Sequence, residues 1–170
     1  VSPYIESGPE RVTAADRDDK RVVDDELYRE IILDHFSRPR YKGRLERPTL
    51  ALEGVNPTCG DALTLDLRLE GDQIREVGFT GHGCAISMAS ASMLAEMIHG
   101  RSVDQARRLA QAFKARMLSR GQLPEPPPDI DLGELEALDG VRRYPVRIKC
   151  ALLAWNTLLD GLNPRDASAR

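Results

Sequence analysis

The chain has 170 residues, 41% of them hydrophobic and 30% charged, with a formal net charge of −3. That is enough for one domain with a real core and no need of disulfides, and it shows neither a basic stripe nor, at 5% aromatic residues, the stacking platform of a nucleic-acid binder. No apolar run approaches the roughly 18 residues a membrane span needs, and Val1 to Asp25 lacks the basic and apolar regions of a signal peptide, so a cytoplasmic protein with reduced thiols and no membrane partner is expected.

Residues 1–23 have no hydrophobic periodicity and read as a flexible arm. A first helix is expected from about Asp24 to Ser37, with Leu27, Ile31 and His35 on one face and Pro39 ending it. Three strands follow. Thr49–Val55 is short, and Ala62–Leu69 alternates cleanly, with Leu63, Leu65, Leu67 and Leu69 on one face. Ile74–Thr80 closes a hairpin over Glu70-Gly71-Asp72-Gln73. There Ile74 is out of phase with Val77 and Phe79, and Gly78 is the expected bulge.

From Cys84 the pattern turns helical. Cys84–His99 is crowded with alanine and serine, and His99 is placed to cap its C-terminal end. Ser102 and Gln105 form a capping box for a third helix with an apolar stripe from Ala106 to Met117. A proline-rich connection, Gln122–Pro128, leads to a short helix opened by Asp131, and a last helix starts at Pro145 and runs to about Gly161. The expected architecture is α+β: a small antiparallel three-stranded sheet packed against several helices, in one domain over residues 24–162 with a tail at 163–170.

The three cysteines carry the chemistry. A free cysteine is often just a small buried hydrophobe, but these sit in particular surroundings. Cys59 lies in a turn, Asn56-Pro57-Thr58-Cys59-Gly60-Asp61, with a carboxylate two residues on that can point the same way. Cys84 follows Gly81-His82-Gly83 at a helix N-terminus, where free N–H groups and the dipole favour a thiolate. Cys150 is on the last helix, nearly opposite the stripe Ile148, Leu152, Trp155, Leu159 and Leu162, on the side of Val146, Leu153 and Thr157. Three soft thiolates and one oxygen ligand, Asp61, suit tetrahedral zinc or an iron–sulfur cluster in transit. His82 is the histidine nearest the thiols, whereas His35 reads as a helix-face core residue. Arg147, three residues before Cys150, adds a cation in the first turn of a helix, where a local anionic partner would explain it. A zinc hydrolase is disfavoured because four protein ligands would close the site, and a purely structural zinc domain because no Cys-x-x-Cys knuckle is present.

The strings Asn-Pro-Thr-Cys-Gly-Asp (56–61), Gly-His-Gly-Cys-Ala-Ile-Ser-Met-Ala-Ser-Ala-Ser (81–92) and Arg-Ile-Lys-Cys-Ala (147–151), with the lead-in Leu27–Arg40, resemble the U-type iron–sulfur cluster assembly proteins, IscU and SufU. The resemblance covers about Asp24 to Leu162. It is closer to SufU: Lys149 stands where IscU proteins carry a histidine directly before the third cysteine, and the segment between the second and third cysteines is longer. The resemblance implies a zinc site of Cys59, Asp61, Cys84 and Cys150, with Cys59 accepting sulfane sulfur from a cysteine desulfurase of the SufS type. Delivery to downstream iron–sulfur assembly proteins is expected, and Arg147, read from its charge and its place three residues before Cys150 rather than from the resemblance, is expected to assist transfer at Cys59 as a catalytic residue. The alternative the resemblance leaves open is a scaffold on which a transient iron–sulfur cluster is built.

Overall fold

In the computed structural model, the backbone is described for residues 14–163 and the side chains for residues 25–163. Helix α1 spans Ala14–Ser37 and therefore starts ten residues before the expected Asp24. Its first part mixes charges of both signs with few apolar residues, so no apolar stripe announces it. Of the expected arm, residues 1–13 lie outside the described residues, as do residues 164–170 of the expected tail.

Strands β1 (Leu50–Asn56), β2 (Asp61–Glu70) and β3 (Gln73–His82) form an antiparallel sheet in the order β1-β2-β3. Helices α2 (Ala85–Ile98), α3 (Val103–Leu118) and α4 (Pro145–Leu162) follow, with a 3₁₀ helix over Gly133–Arg143 between the last two. The expected α+β architecture is the observed one. No helix among the described residues is long and apolar enough to cross a membrane.

The bulge is not at Gly78. The register slips between Arg68 and Leu69 and leaves Arg75 as the extra residue on β3. That slip is why Ile74, Val77 and Phe79 all reach the core although their spacing is odd. Gly78 serves another purpose: a Cβ there would lie 2.5 Å from the Gly43 carbonyl oxygen, where residues 41–43 pass along β3.

One face of the sheet presents Leu63, Leu65, Leu67 and Phe79 to the helices. Helix α4 packs on β1 and α2 on β3, while α1 and the 3₁₀ helix lie against the far side of α2. The small residues of α2 let these neighbours approach on several sides, and every residue from Ser87 to Ala95 is buried. Ser90 joins two of them: its hydroxyl donates to the Ala151 carbonyl (2.6 Å) and accepts from the Trp155 indole N–H (3.0 Å). Helix α4 is packed on both sides rather than along one stripe. Ala151, Ala154, Trp155 and Leu158 are buried with Cys150, while Ile148 and Leu159 are only partly covered.

His35 is buried and ties three helices together. Ser92 Oγ accepts from the Arg40 backbone N–H and faces His35 Nδ1 at 2.8 Å, which leaves Nε2 to donate to Glu134 of the 3₁₀ helix at 2.5 Å. Tyr41 stacks on His99, the C-cap of α2, with ring centroids 4.6 Å apart.

Candidate metal centre

The end of β1, the start of β2, the N-terminus of α2 and the first turns of α4 converge at one end of the sheet. Asn56, the last residue of β1, shapes the loop that follows. Its side-chain carbonyl accepts from the Thr58 N–H (3.2 Å), and its amide donates to Cys59 Sγ (2.9 Å). Gly60 closes the turn at φ +73°, and its N–H donates to the Asn56 carbonyl (2.9 Å). Cys59 is thereby held exposed at the surface and fixed through Asn56.

Asp61 opens β2 and is only 3% exposed. One carboxylate oxygen accepts from the Cys84 N–H (3.2 Å), and the other from the Ser87 hydroxyl (2.6 Å). The chain passes so close that a Cβ on Gly83 would lie 2.8 Å from the Asp61 carboxyl carbon, so position 83 must be small. Cys84 is the N-cap of α2, and its sulfur accepts from the Ser87 N–H (3.4 Å). Cys150 is 1% exposed, with its sulfur 3.2 Å from that of Cys59.

Ligand atoms of Cys59, Asp61 and Cys150 all lie within 4.8 Å of one another. Cys84 borders this trio without lying within that distance of every member, yet it is near enough to act on Cys150. Burial pushes the Cys150 thiol well above its ordinary value, and the neighbouring Cys59, Cys84 and Asp61 push it further. The four residues expected as ligands are thus brought together. His82 is exposed and outside the cluster. Arg147 is exposed and lines, with Cys84, Arg29 and Arg143, a groove between α1, the 3₁₀ helix and α4. Asn56, Ser87 and Gly83 complete the site, and the sequence signals them only through an Asn-Pro-Thr turn, a serine one turn into a helix and a Gly-x-Gly approach.

The donor set fits a soft divalent cation. Asp61 is a buried carboxylate with no ion pair to lysine, arginine or histidine among the described residues. Beside it stand thiols rather than the carbonyls and waters that magnesium or calcium would take. A second cluster, His35, Glu96 and Glu134, is different in kind, because the Arg40 guanidinium stands 3.8 Å from Glu96 and already supplies positive charge there.

A three-thiol, one-carboxylate centre at the end of a small antiparallel sheet backed by helices defines a class of thiol-bearing assembly protein. The chain belongs to the NifU-like N-terminal domain family, the U-type iron–sulfur cluster assembly proteins, whose profile matches residues 27–151. It is 43% identical over 138 residues to the zinc-dependent sulfurtransferase SufU of Bacillus subtilis, covering 81% of this chain and 90% of that one. It is 40% identical over 144 residues to the iron–sulfur cluster assembly scaffold protein IscU of Streptococcus pyogenes, covering 85% and 87%. Among solved structures, a chain from Fervidobacterium islandicum named for the SUF iron–sulfur system superposes with a TM-score of 0.71 at 35% identity, over 79% of this chain and 95% of that one.

Proposed function

We propose that this protein is a zinc-dependent sulfur carrier of iron–sulfur cluster assembly. It takes persulfide sulfur onto Cys59 from a cysteine desulfurase of the SufS type and passes it to downstream iron–sulfur proteins in the cytoplasm. The observation that carries this reading is the split in exposure across one thiol pair: Cys59 is at the surface and Cys150, 3.2 Å away, is buried. A partner can reach the first without disturbing the second.

Cys59, Asp61, Cys84 and Cys150 would hold zinc, which keeps bound thiols deprotonated at neutral pH. The Cys59 thiolate attacks the outer sulfur of the donor's persulfide: a new S–S bond forms on Cys59, the donor's S–S bond breaks, and the donor leaves as a thiolate. The Asn56 amide, already donating to Cys59 Sγ, steadies the anionic sulfur. Arg147, on the rim of the groove that Cys84 lines, offsets negative charge as the donor approaches. Incubation with a cysteine desulfurase and cysteine, followed by peptide mapping in a mass spectrometer, should find the extra sulfur on Cys59. Sulfane sulfur mainly on Cys84 or Cys150 would overturn the assignment.

A scaffold for a transient cluster is the second reading, favoured by the likeness to the Streptococcus pyogenes protein. Against it, Lys149 precedes Cys150, is exposed, and faces a different groove, so it supplies no nitrogen ligand. Metal analysis of protein purified without added metal or chelator separates the two: about one zinc per chain supports the carrier, and iron with sulfide supports the scaffold.

A further inference from the structure

One residue bears on two of the four ligand candidates, and its place on α2 explains how. Cys84 is the N-cap, so Ser87 is the third residue of the helix, where a backbone N–H has no carbonyl of its own helix to bond. That N–H donates to Cys84 Sγ (3.4 Å), and the Ser87 hydroxyl donates to Asp61 Oδ2 (2.6 Å). Ser87 is fully buried, so water does not compete for either bond. Ser90 and Ser92 are as buried on the same helix but bond elsewhere: Ser90 to Ala151 O and the Trp155 indole, Ser92 to the Arg40 N–H and His35.

We propose that Ser87 is the positioning residue that keeps Asp61 a fixed, one-oxygen ligand, so that Asp61, Cys84 and Cys150 hold zinc while Cys59 carries sulfur, an inference that rests on the carrier reading above. Once Cys59 is occupied by sulfur, the other three must suffice. Cys84 and Cys150 are carried by α2 and α4. Asp61 follows directly on the Cys59–Gly60 turn, so a movement of that turn would pass along the chain to its carboxylate. The Ser87 hydroxyl ties that carboxylate to α2 instead.

The same bond selects the coordinating oxygen. A carboxylate with both oxygens free can swing or take a cation with both. Ser87 occupies Oδ2 at 2.6 Å, whereas Oδ1 has only the longer bond from the Cys84 N–H (3.2 Å) and is the oxygen left to a metal. Gly83 limits movement on that side, since a Cβ there would lie 2.9 Å from Oδ1. Groups that orient a ligand in this way are typically worth about ten- to a hundredfold in metal affinity. Ser87→Ala removes the hold on Asp61 alone, because the bond to Cys84 comes from the backbone and alanine keeps it.

The test compares wild-type protein with Ser87→Ala, Ser87→Thr and Ser92→Ala, with and without Cys59→Ala. Zinc affinity is measured by competition with a chromophoric chelator, and ligand geometry by the visible spectrum after cobalt(II) substitution. Melting temperatures of the chelated proteins check each fold. Ser87→Ala should weaken zinc binding about ten- to a hundredfold and change the cobalt spectrum. Ser87→Thr, which keeps the hydroxyl, should restore most of both, and Ser92→Ala should leave both as in wild type. Cys59→Ala should still bind about one zinc per chain, and adding Ser87→Ala should empty it. If the threonine variant does not fold, the contrast between Ser87→Ala and Ser92→Ala decides. Unchanged affinity and spectrum in Ser87→Ala overturns the proposal, as do equal changes in Ser92→Ala, a Cys59→Ala chain that binds no zinc, or a double variant that keeps it. These measurements need no desulfurase, so their failure is distinct from that of the carrier reading, which falls if the loading experiment above finds no sulfur on Cys59 and takes the role of Ser87 during transfer with it.

Discussion

Cys59 and Cys150 are sulfur neighbours, 3.2 Å apart, that belong to opposite kinds of structure. Cys59 is exposed on a four-residue turn shaped by one asparagine side chain. Cys150 is 1% exposed in a helix packed on both sides, and the equally buried Asp61 beside it is fixed by Cys84 and Ser87. A relay needs both conditions at once. The reactive atom must be reachable, and the groups that hold it must not move when it is reached. On the proposed carrier reading, the exposed member would carry the transfer, and the buried members would anchor the metal and the fold.

The largest expected effect breaks the buried side. Cys150→Ala should lose the zinc, and chelation of the wild-type protein should mimic it. Ligand present at a thousand times its dissociation constant stabilises by about 4 kcal/mol, and a domain of this size shifts roughly 2–4 °C per kcal/mol, so the melting temperature should fall by roughly 8–16 °C. A variant that keeps one zinc per chain and its melting temperature would contradict the ligand assignment.

Next in size is the exposed side. Cys59→Ser should abolish sulfur loading, measured as protein-bound persulfide by mass spectrometry. Because Cys59 is on the surface, metal-free stability should change by less than ~1 kcal/mol, as for surface substitutions elsewhere. A loss of folding equal to that of Cys150→Ala would erase the contrast between the two thiols.

Arg147→Ala sharpens the contrast at the rim. Zinc content and stability should hold, while the rate of sulfur acceptance drops about tenfold, or ~1.4 kcal/mol in the barrier. Arg147→Lys should restore only part, since it keeps the charge and loses the planar fork. Arg143 is unsuitable as a control because it lines the same groove; Arg75, paired with Glu70 at the hairpin end, serves instead. Wild-type rates in Arg147→Ala would return this residue to an ordinary surface arginine.

The smallest effect is a pH dependence of the chelated protein. Burial raises the Cys150 thiol above its ordinary value of 9.0 in the folded state, so the neutral form is favoured there. Its contribution is complete below pH 9 and is lost as pH rises above it, where the unfolded chain ionises freely. The melting temperature of chelated wild-type protein should therefore decline from about pH 9 upward more steeply than that of Cys150→Ala. Parallel curves would mean the thiol is not shielded as its position suggests.

Much of this site was legible in the chain because residue type and local setting carry information at short range. A thiol in a Pro/Gly turn, one at a helix start and one off the expected stripe pointed to the three cysteines and Asp61. The supporting groups were not legible. Ser87 looked like one more small helix residue until Asp61, 26 positions earlier in the chain, met its hydroxyl. The bulge at Arg75 was misplaced to Gly78, since glycine also serves close backbone approach, which is its use against Gly43. The start of α1 was missed because a polar stretch without an apolar stripe gives periodicity nothing to detect.

The amino-acid sequence alone determined the order of helices and strands, the chemical identity of the four ligand candidates and the kinship with the U-type proteins, because periodicity, turn residues and motif spacing are local properties. Only the tertiary structure decided that Cys59 would be exposed and Cys150 buried and, among the described residues, that Asp61 would lack a cationic partner and that the outer edge of β3 would be covered while that of β1 is not. Those outcomes depend on which distant segments pack against one another, and burial and edge exposure are properties of that packing rather than of any stretch of chain.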